Sequence, residues 1–201
     1  MNEIILSGVI KNIQPSHKIE DITFDKAQLI VQRDNGKEDI INLRFKSFSN
    51  RFKNNDFVNI KGNIRSYSYK VDEDHNRVVI YVFTYFDSPE DVELKNKVEI
   101  DGRICKINDL RTTNNGKHNI HFILANNLHS SDNQKRLNSY IPCIAWGNIA
   151  KELQKYSVNT HLKIIGELHS REHKKLLDNG DLELRVAHEL LVKEFKIIED
   201  N

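Results

Sequence analysis

The stretch NSYIPCIAWGNIAKEL, residues 138–153, decides the fold of this chain and holds its only tryptophan. Its first part alternates with a period of two, which is typical of a β-strand with one buried face. The small or apolar residues that suit the buried face are Ile141, Cys143 and Ala145. The opposite face carries large rings at both ends, Tyr140 and Trp146. Exposed rings of this size favour a partner that stacks on them, and a nucleic-acid base is such a partner.

The residues that follow this strand predict a short helix. Between Asn148 and Tyr156 the apolar residues Ile149, Leu153 and Tyr156 recur at helical spacing. One apolar stripe on a short helix is typical of an element that covers the end of a core. We therefore expect this helix to be structural.

Four segments in the second half of the chain resemble the bacterial single-stranded DNA-binding proteins. They are NKVEIDGRICKINDLRTTNNGK (96–117), FILANN (122–127), YIPCIAWGNIAKEL (140–153) and LKIIGELHSREH (162–173). They occur in the order of that family and near its spacing. The resemblance implies an OB fold, a five-stranded Greek-key barrel that binds oligonucleotides on one face.

The first half of the chain repeats the second. Gly8 matches Gly102 at a separation of 94, and Gly62 matches Gly166 at a separation of 104, which we expect to hold through the last strand. The ten extra residues fall in the polar run 126–139, where the first half has a short Asn-Gly hairpin. The repeat predicts two tandem OB domains, 1–95 and 96–201, each with at most a short helix between strands 3 and 4.

Composition supports an all-β fold with two domains. The chain has 201 residues and only three prolines, and Asn, Asp and Gly bound its short strands. Cys105 and Cys143 each lie on an apolar strand, so we expect buried fillers rather than a disulfide. The start MNEIILSG lacks the features of a signal peptide, and no apolar run is long enough to cross a membrane. These features predict a cytoplasmic protein without a membrane partner.

Net charge is close to zero in both halves. Residues 1–95 carry 14 Lys and Arg against 15 Asp and Glu, and residues 96–201 carry 16 against 14. A protein that binds nucleic acid mainly through charge is usually more basic. Stacking should therefore supply more of the affinity, and the dependence on salt should be shallow.

Two strands after the matched glycines present rings and cations on one face. Alternation after Gly62 and Gly166 places Ile64, Ser66, Leu168 and Ser170 inside. The opposite faces then carry two sets that suit a single strand, Arg65, Tyr67 and Tyr69 in the first domain and His169, Arg171 and His173 in the second. The alternative is an ordinary exposed sheet.

The resemblance also implies where bases stack. Tyr140 and Trp146 take two of the four aromatic positions of the family, and His173 takes a third. The fourth falls near His129 or Ser130, so its aromatic residue is missing here. In the first domain Tyr69 corresponds to His173, while Phe45 is the nearest match to Trp146. Phe48 competes with Phe45 for that place, and Phe45 also fits a core position.

Cations on the loops are the expected phosphate contacts. On loops that border the groove of an OB fold they would position the backbone of the nucleic acid. They are Arg33, Lys37, Arg111, Lys117, Lys135 and Arg136.

No motif for catalysis, a cofactor or a metal is found. The pairs His118 with His121 and His169 with His173 lie in strand or turn sequence, where their spacing does not bring two rings to one ion. There is no phosphate-binding glycine loop or nucleophile elbow. We therefore expect a protein that is not an enzyme.

The sequence analysis predicts a protein that coats and protects single-stranded DNA in replication, recombination or the DNA metabolism of a phage or mobile element. The alternative is a primosome-type adaptor or protein-interaction module whose OB folds bind nucleic acid only incidentally. Family members usually continue into a disordered tail with an acidic tip, whereas this chain ends at FKIIEDN. Recruitment of partners through such a tail is not expected. A homodimer with four OB domains and a monomer with one groove both fit.

Overall fold

The computed structural model describes residues 1–47, 53–70, 76–87, 96–129, 136–176 and 182–199. Most of them are in strands. The first half contains β1 (Asn2–Ile19), β2 (Ile22–Gln32), β3 (Glu38–Lys46), β4 (Phe57–Lys70) and β5 (Asn76–Asp87). The second half contains β6 (Asn96–Ile107), β7 (Arg111–Thr112), β8 (His118–His129), β9 (Arg136–Trp146), α1 (Gly147–Leu153), β10 (His161–Leu176) and β11 (Leu182–Ile197).

Each half closes into a barrel of five main strands. In the first, neighbours follow the order β2-β3-β5-β4-β1, and β1 also pairs with β2. In the second, the order is β6-β10-β11-β9-β8, and β6 also pairs with β8. Both have the OB topology, with one parallel pair, β3 with β5 and β9 with β11. The predicted fold class is confirmed, while the boundary between residues 95 and 96 stays a prediction.

The alternating residues of the strands fill the two barrels. Ile141, Cys143 and Ala145 are buried, as the alternation predicted. Leu153 and Ala150 of α1 close the end of the second barrel. Cys105, in contrast, is exposed, so the prediction of a buried filler holds only for Cys143.

The matched glycines lie where a neighbouring strand approaches too closely for a side chain. A Cβ atom on Gly62 would come within 2.4 Å of the Phe83 carbonyl oxygen, and one on Gly166 within 2.2 Å of the Leu191 carbonyl oxygen. Gly8 and Gly102 have equivalent contacts at 2.3 and 2.5 Å. The glycines therefore mark the repeat because the barrel requires them.

The last strand corrects the spacing of the repeat. Ile64 pairs with Val82, and its equivalent Leu168 pairs with Leu190. The separation in this strand is therefore 108 (190 minus 82) and not 104. The extra four residues lie in a longer hairpin, because the ladder between β10 and β11 continues for two pairs past Lys174.

The two barrels are joined by an antiparallel pairing of their first strands. Ile4 lies opposite Val98, its own equivalent in the repeat, and Leu6 lies opposite Asn96 as Asn2 lies opposite Ile100. Exchanging the two barrels therefore leaves the pairs of this ladder unchanged. The barrels are thus related by an approximate two-fold axis.

Two equivalent asparagines pair with the strand edges beside this axis. The Asn2 side chain donates to the Ile64 carbonyl at 2.7 Å and accepts from its amide at 2.9 Å. Asn96 makes the same two bonds with Leu168, at 2.8 and 2.9 Å. The asparagines satisfy backbone groups that the ends of the β1–β4 and β6–β10 ladders would leave open.

Ser66 and Ser170 connect the barrels rather than fill them, which corrects their predicted inward positions. The Ser66 hydroxyl accepts from the Tyr140 amide at 2.7 Å, and the Ser170 hydroxyl accepts from the Ile40 amide at 2.8 Å. The strands extend past the barrel ends at these serines. Their side chains therefore meet the other barrel instead of the core.

Candidate nucleic-acid interface

The first barrel carries a groove on its outer face, which we call the N-terminal groove. Its volume is about 680 Å³. Polar, cationic and aromatic side chains dominate its lining, which includes Asn12, Gln14, Lys26, Gln28, Asn42, Arg44, Asn54, Tyr67 and Tyr81. Strands β1, β2, β3, β4 and β5 all contribute. Because alternate residues of these strands fill the core, the groove is built from the residues between them.

Arg44 lies between two tyrosines at the centre of the groove. Its guanidinium carbon is 4.5 Å from the centre of the Tyr67 ring and 4.6 Å from that of Tyr81. The two rings are 5.8 Å apart, and Tyr69 lies 6.3 Å from Tyr67. The guanidinium is thereby held by cation–π contacts with both rings, and such a group can also stack on a base. Tyr67 and Tyr69 remain 37% and 42% exposed.

A second group of planar side chains lies on the same outer face. The His17 ring stacks on Phe24 with centres 4.8 Å apart and planes at 8°, and Phe24 lies 6.1 Å from Phe83. The Arg65 guanidinium is 4.1 Å from the Phe83 ring centre. Burial, followed by the charge of Arg44, lowers the pKa of His17. This group is packed against itself and extends the row of rings along the barrel.

The structure brings together three predicted residues of the first barrel, Arg65, Tyr67 and Tyr69, on one face. Sequence reasoning missed Arg44, Tyr81, Phe24 and Phe83. Alternation gives the signal for Tyr81, because it lies between the core residues Ile80 and Val82. Arg44 is found in the same way, between Leu43 and Phe45.

Phe45 lies in the core and is 4% exposed, which supports the core alternative for this residue. Leu43 pairs with Val82 as Cys143 pairs with Leu190, so the two strands match at a separation of 100 (143 minus 43). Lys46, and not Phe45, therefore takes the place of Trp146. A shift of one residue moves a side chain to the other face. Phe48 lies outside the described residues.

Arg33 is not available as a phosphate contact, which corrects its predicted role. Its Nε donates to Asp39 Oδ2 at 2.7 Å, its Nη2 donates to Asp39 Oδ1, and Nη2 also donates to the Ser170 carbonyl at 2.9 Å. The Asp39 side chain is fully buried and accepts from the Ser170 amide as well. The hydrogen bond with Asp39 raises the pKa of Arg33. Arg33 therefore belongs to the contact between the barrels.

The same contact contains a buried histidine. His188 is 6% exposed, and its Nε2 donates to the Ile40 carbonyl at 2.8 Å. Burial lowers the pKa of His188, against smaller opposing effects of this hydrogen bond and the charge of Asp39. The ring is therefore held neutral as a structural donor.

Tyr140 and Trp146 lie on the outer face of the second barrel, as the alternation predicted. They are 49% and 40% exposed, although both belong to a strand with a buried opposite face. Six residues of strand separate them by roughly 20 Å. Gly147 has a φ of +60°, a left-handed conformation that favours glycine and turns the chain into α1 directly after Trp146. Trp146 is thus the last residue of its strand.

The other predicted residues of this barrel differ in exposure. Arg171 is exposed, whereas the His169 side chain is 16% exposed and its Nε2 lies 3.0 Å from Glu167 Oε2. Burial and then the charge of Arg33 lower the pKa of His169. The backbone of His173 pairs with Arg185, while its side chain lies outside the description.

Three of the predicted loop cations are described by the structure and are exposed. Lys37 and Arg111 are exposed near turns that contain Gly36 and Gly116, and Lys117 is exposed on the second of these turns. Lys135 lies outside the described residues, as does the side chain of Arg136. The run predicted as a long loop is partly a hairpin, since pairing between β8 and β9 continues to His129 and Arg136.

Within the described ranges, no group of three or more His, Cys, Asp or Glu side chains is placed to hold a metal ion. No described helix has the length and apolar character required to cross a membrane. Both cysteines are free thiols, and burial raises the pKa of Cys143. Cys143 is thus an inert part of the core.

The family model described as "Single-strand binding protein family" matches residues 95–197. This chain belongs to that family. The match covers the second barrel, including Tyr140 and Trp146, and it confirms the resemblance inferred from the sequence. It supports binding of single-stranded DNA, and it confirms the expectation that the protein is not an enzyme, since the family consists of non-enzymatic DNA-binding proteins.

Solved structures show that the two-barrel fold has a precedent. The wild-type single-stranded DNA-binding protein of Thermus aquaticus has a TM-score of 0.74 at 15% identity, and the match covers 100% of this chain and 94% of that one. A deletion mutant of the same protein gives 0.72 at 14% identity, covering 100% and 96%. A search of curated protein sequences found no match. At this identity the structures establish the fold alone.

Proposed function

We propose that this member of the family coats single-stranded DNA by stacking bases on the outer faces of both barrels. The observation that carries the proposal is the pair of exposed rings on β9, Tyr140 and Trp146, on a strand whose opposite face is core. Bases of any sequence can stack on such rings, and each stacked base contributes about 1–3 kcal/mol to the binding free energy.

The N-terminal groove extends this surface to the first barrel. Arg44 between Tyr67 and Tyr81 offers a flat cation beside two rings, and Tyr69 continues the row. Guanidinium groups stack on bases and attract phosphates at the same time. Both barrels would then hold the same strand, and the role would be to cover exposed DNA in replication, recombination or mobile-element transfer.

The proposed phosphate contacts on the loops are Lys37, Arg111, Lys117, Lys135 and Arg136. Arg171 on the sheet is a further proposed contact. Such contacts position the strand without reading it. Because the chain has a net charge of +1, we expect few of them and a shallow dependence of affinity on salt.

The test is a titration of the full chain into fluorescently labelled single-stranded and duplex oligonucleotides, followed by anisotropy. The proposal predicts binding of the single strand alone and a loss of at least about tenfold when Trp146 and Tyr69 are both changed to Ala. Phe57→Ala is the control, since Phe57 is 68% exposed and does not line the groove. Unchanged binding in the double variant would favour the alternative, a protein-interaction module.

A further inference from the structure

Five amide side chains line the N-terminal groove beside its rings. They are Asn12, Gln14, Gln28, Asn42 and Asn54. Stacking on rings and contacts with cations suffice for binding that tolerates any sequence. Amides instead match the donors and acceptors on the edges of bases. Their presence in the same groove therefore points to selection among bases.

Four of these amides, Asn12, Gln28, Asn42 and Asn54, are each held by one hydrogen bond. The Asn12 side chain donates to Gln28 Oε1 at 2.7 Å, and Asn42 Nδ2 donates to the Ile80 carbonyl at 3.2 Å. Asn54 Oδ1 accepts from the Ile13 amide at 3.0 Å. An amide side chain has two donor hydrogens and an oxygen with two lone pairs. Each side chain is therefore oriented and keeps hydrogen-bonding capacity for a ligand.

Gln28 and Asn42 lie directly opposite each other in the ladder between β2 and β3. Side chains in such pairs have Cβ atoms about 5 Å apart on one face of the sheet. Their bonds use the Gln28 oxygen and the Asn42 nitrogen, and the Gln28 Nε2 donor and the Asn42 Oδ1 acceptor have no partner among the described residues. Adenine offers the complementary pair, the N7 acceptor and the N6 donor, and Asn and Gln are its usual partners.

The second barrel lacks this pair at the equivalent position. Asn42 corresponds to Pro142 at the separation of 100, and the ladder there places Ile123 opposite Pro142. Neither side chain has a hydrogen-bonding group. The two barrels therefore differ in the groups that could read a base edge.

We infer that the N-terminal groove selects adenine through Gln28 and Asn42, while the second barrel binds bases without preference. Asn42 is the outward residue of β3 that precedes Arg44, so it lies next to the stacking site on the same face of the sheet. This inference rests on the proposed binding of single-stranded DNA and adds a base preference to it. The protein would then bind adenine-containing strands most tightly.

The test compares the affinity of the full chain for oligo(dT) with that for a strand of equal length in which every third base is adenine. Isolated adenines avoid the self-stacking of oligo(dA). We expect at least about fivefold tighter binding of the adenine strand, and the same strand with 7-deazaadenine, which lacks N7, should lose most of this gain. Gln28→Ala and Asn42→Ala should bring the ratio of the two affinities close to one, and this ratio is the readout whatever change they cause in the affinity for oligo(dT).

Tyr140→Ala is the matched control, since it should weaken binding of both strands by the same factor. Equal affinity of the unmodified protein for both strands would overturn the inference and leave the proposed function intact. A preference that persists in Gln28→Ala and Asn42→Ala would also overturn it. Failure to bind either strand would remove the proposed function as well.

Discussion

Ser66 and Ser170 occupy equivalent positions in the two barrels, and the hydroxyl of each accepts a hydrogen bond from the backbone of the opposite barrel. The residues that face them differ. The Ser66 amide donates to the Ser139 hydroxyl at 3.3 Å, whereas the Ser170 amide donates to the buried carboxylate of Asp39. One connection between the barrels is neutral, and the other contains an ion pair with Arg33. This asymmetry predicts that the two connections differ in strength.

Asp39→Ala should lower the free energy of unfolding by about 3 kcal/mol, because it removes the partner of a partly buried guanidinium and of a backbone amide. Urea denaturation at pH 7, followed by circular dichroism, measures the change. The control is Ser139→Ala at the equivalent position, where a single neutral hydrogen bond is lost at a cost of about 1 kcal/mol. Equal costs for the two variants would contradict this account of the contact.

Acid should destabilise the protein through His188. Burial lowers its pKa in the folded state below the ordinary value of 6.5. The unfolded chain therefore binds more protons between the two pKa values, so stability is full above pH 6.5 and decreases as the pH falls below it. His188→Gln should reduce the slope of unfolding free energy between pH 7 and pH 5. His118→Gln is the control, and an equal reduction there would argue against His188.

Tyr67→Ala should weaken binding of single-stranded DNA by about 1–3 kcal/mol, because it removes a stacking ring and one side of the Arg44 site. Phe57→Ala removes a ring of similar size from the same strand, outside the groove, and should leave affinity within about twofold. Anisotropy with labelled oligonucleotides measures both. The groove loses its proposed role if the two variants bind alike.

Phe45→Ala should destabilise the first barrel by about 3–5 kcal/mol, since it leaves a cavity in the core. Phe45→Leu retains most of the apolar volume and should cost less, with binding of single-stranded DNA unchanged. Denaturation and anisotropy on the same samples separate the two effects. If the Phe45→Leu protein is folded but binds single-stranded DNA tenfold more weakly, Phe45 belongs to the binding interface and not only to the core.

The strands and their faces could be predicted from sequence because alternation is a local pattern. Tyr140 and Trp146 were assigned to the exposed face of β9 from their own segment alone. Alternation cannot, however, distinguish two registers that differ by an even number of residues. Separations of 104 and 108 both match the core-facing residues of β5 with core-facing residues of β11. Only the pairing of Leu168 with Leu190 therefore reveals the longer hairpin.

Contacts between distant segments could not be predicted in this way. The sequence predicts Arg33 as a cation near a hairpin turn, and its partner Asp39 is close in sequence. The contact of Arg33 with Ser170, in contrast, joins residues 137 positions apart. The Arg44 site likewise depends on the parallel pairing of β3 with β5, which brings Tyr81 beside it. Each residue type is visible in the sequence, while the neighbours are set by the closed barrel.

The fluorescence of Trp146 tests the central claim most directly, because the chain has a single tryptophan and its ring lies on the proposed surface. The measurement is a titration with oligo(dT) across a range of salt concentrations, with duplex DNA as the control. We predict strong quenching by the single strand, little change with the duplex and a modest effect of salt. Binding without quenching would contradict stacking on Trp146, and the absence of both would contradict single-stranded DNA binding by this protein.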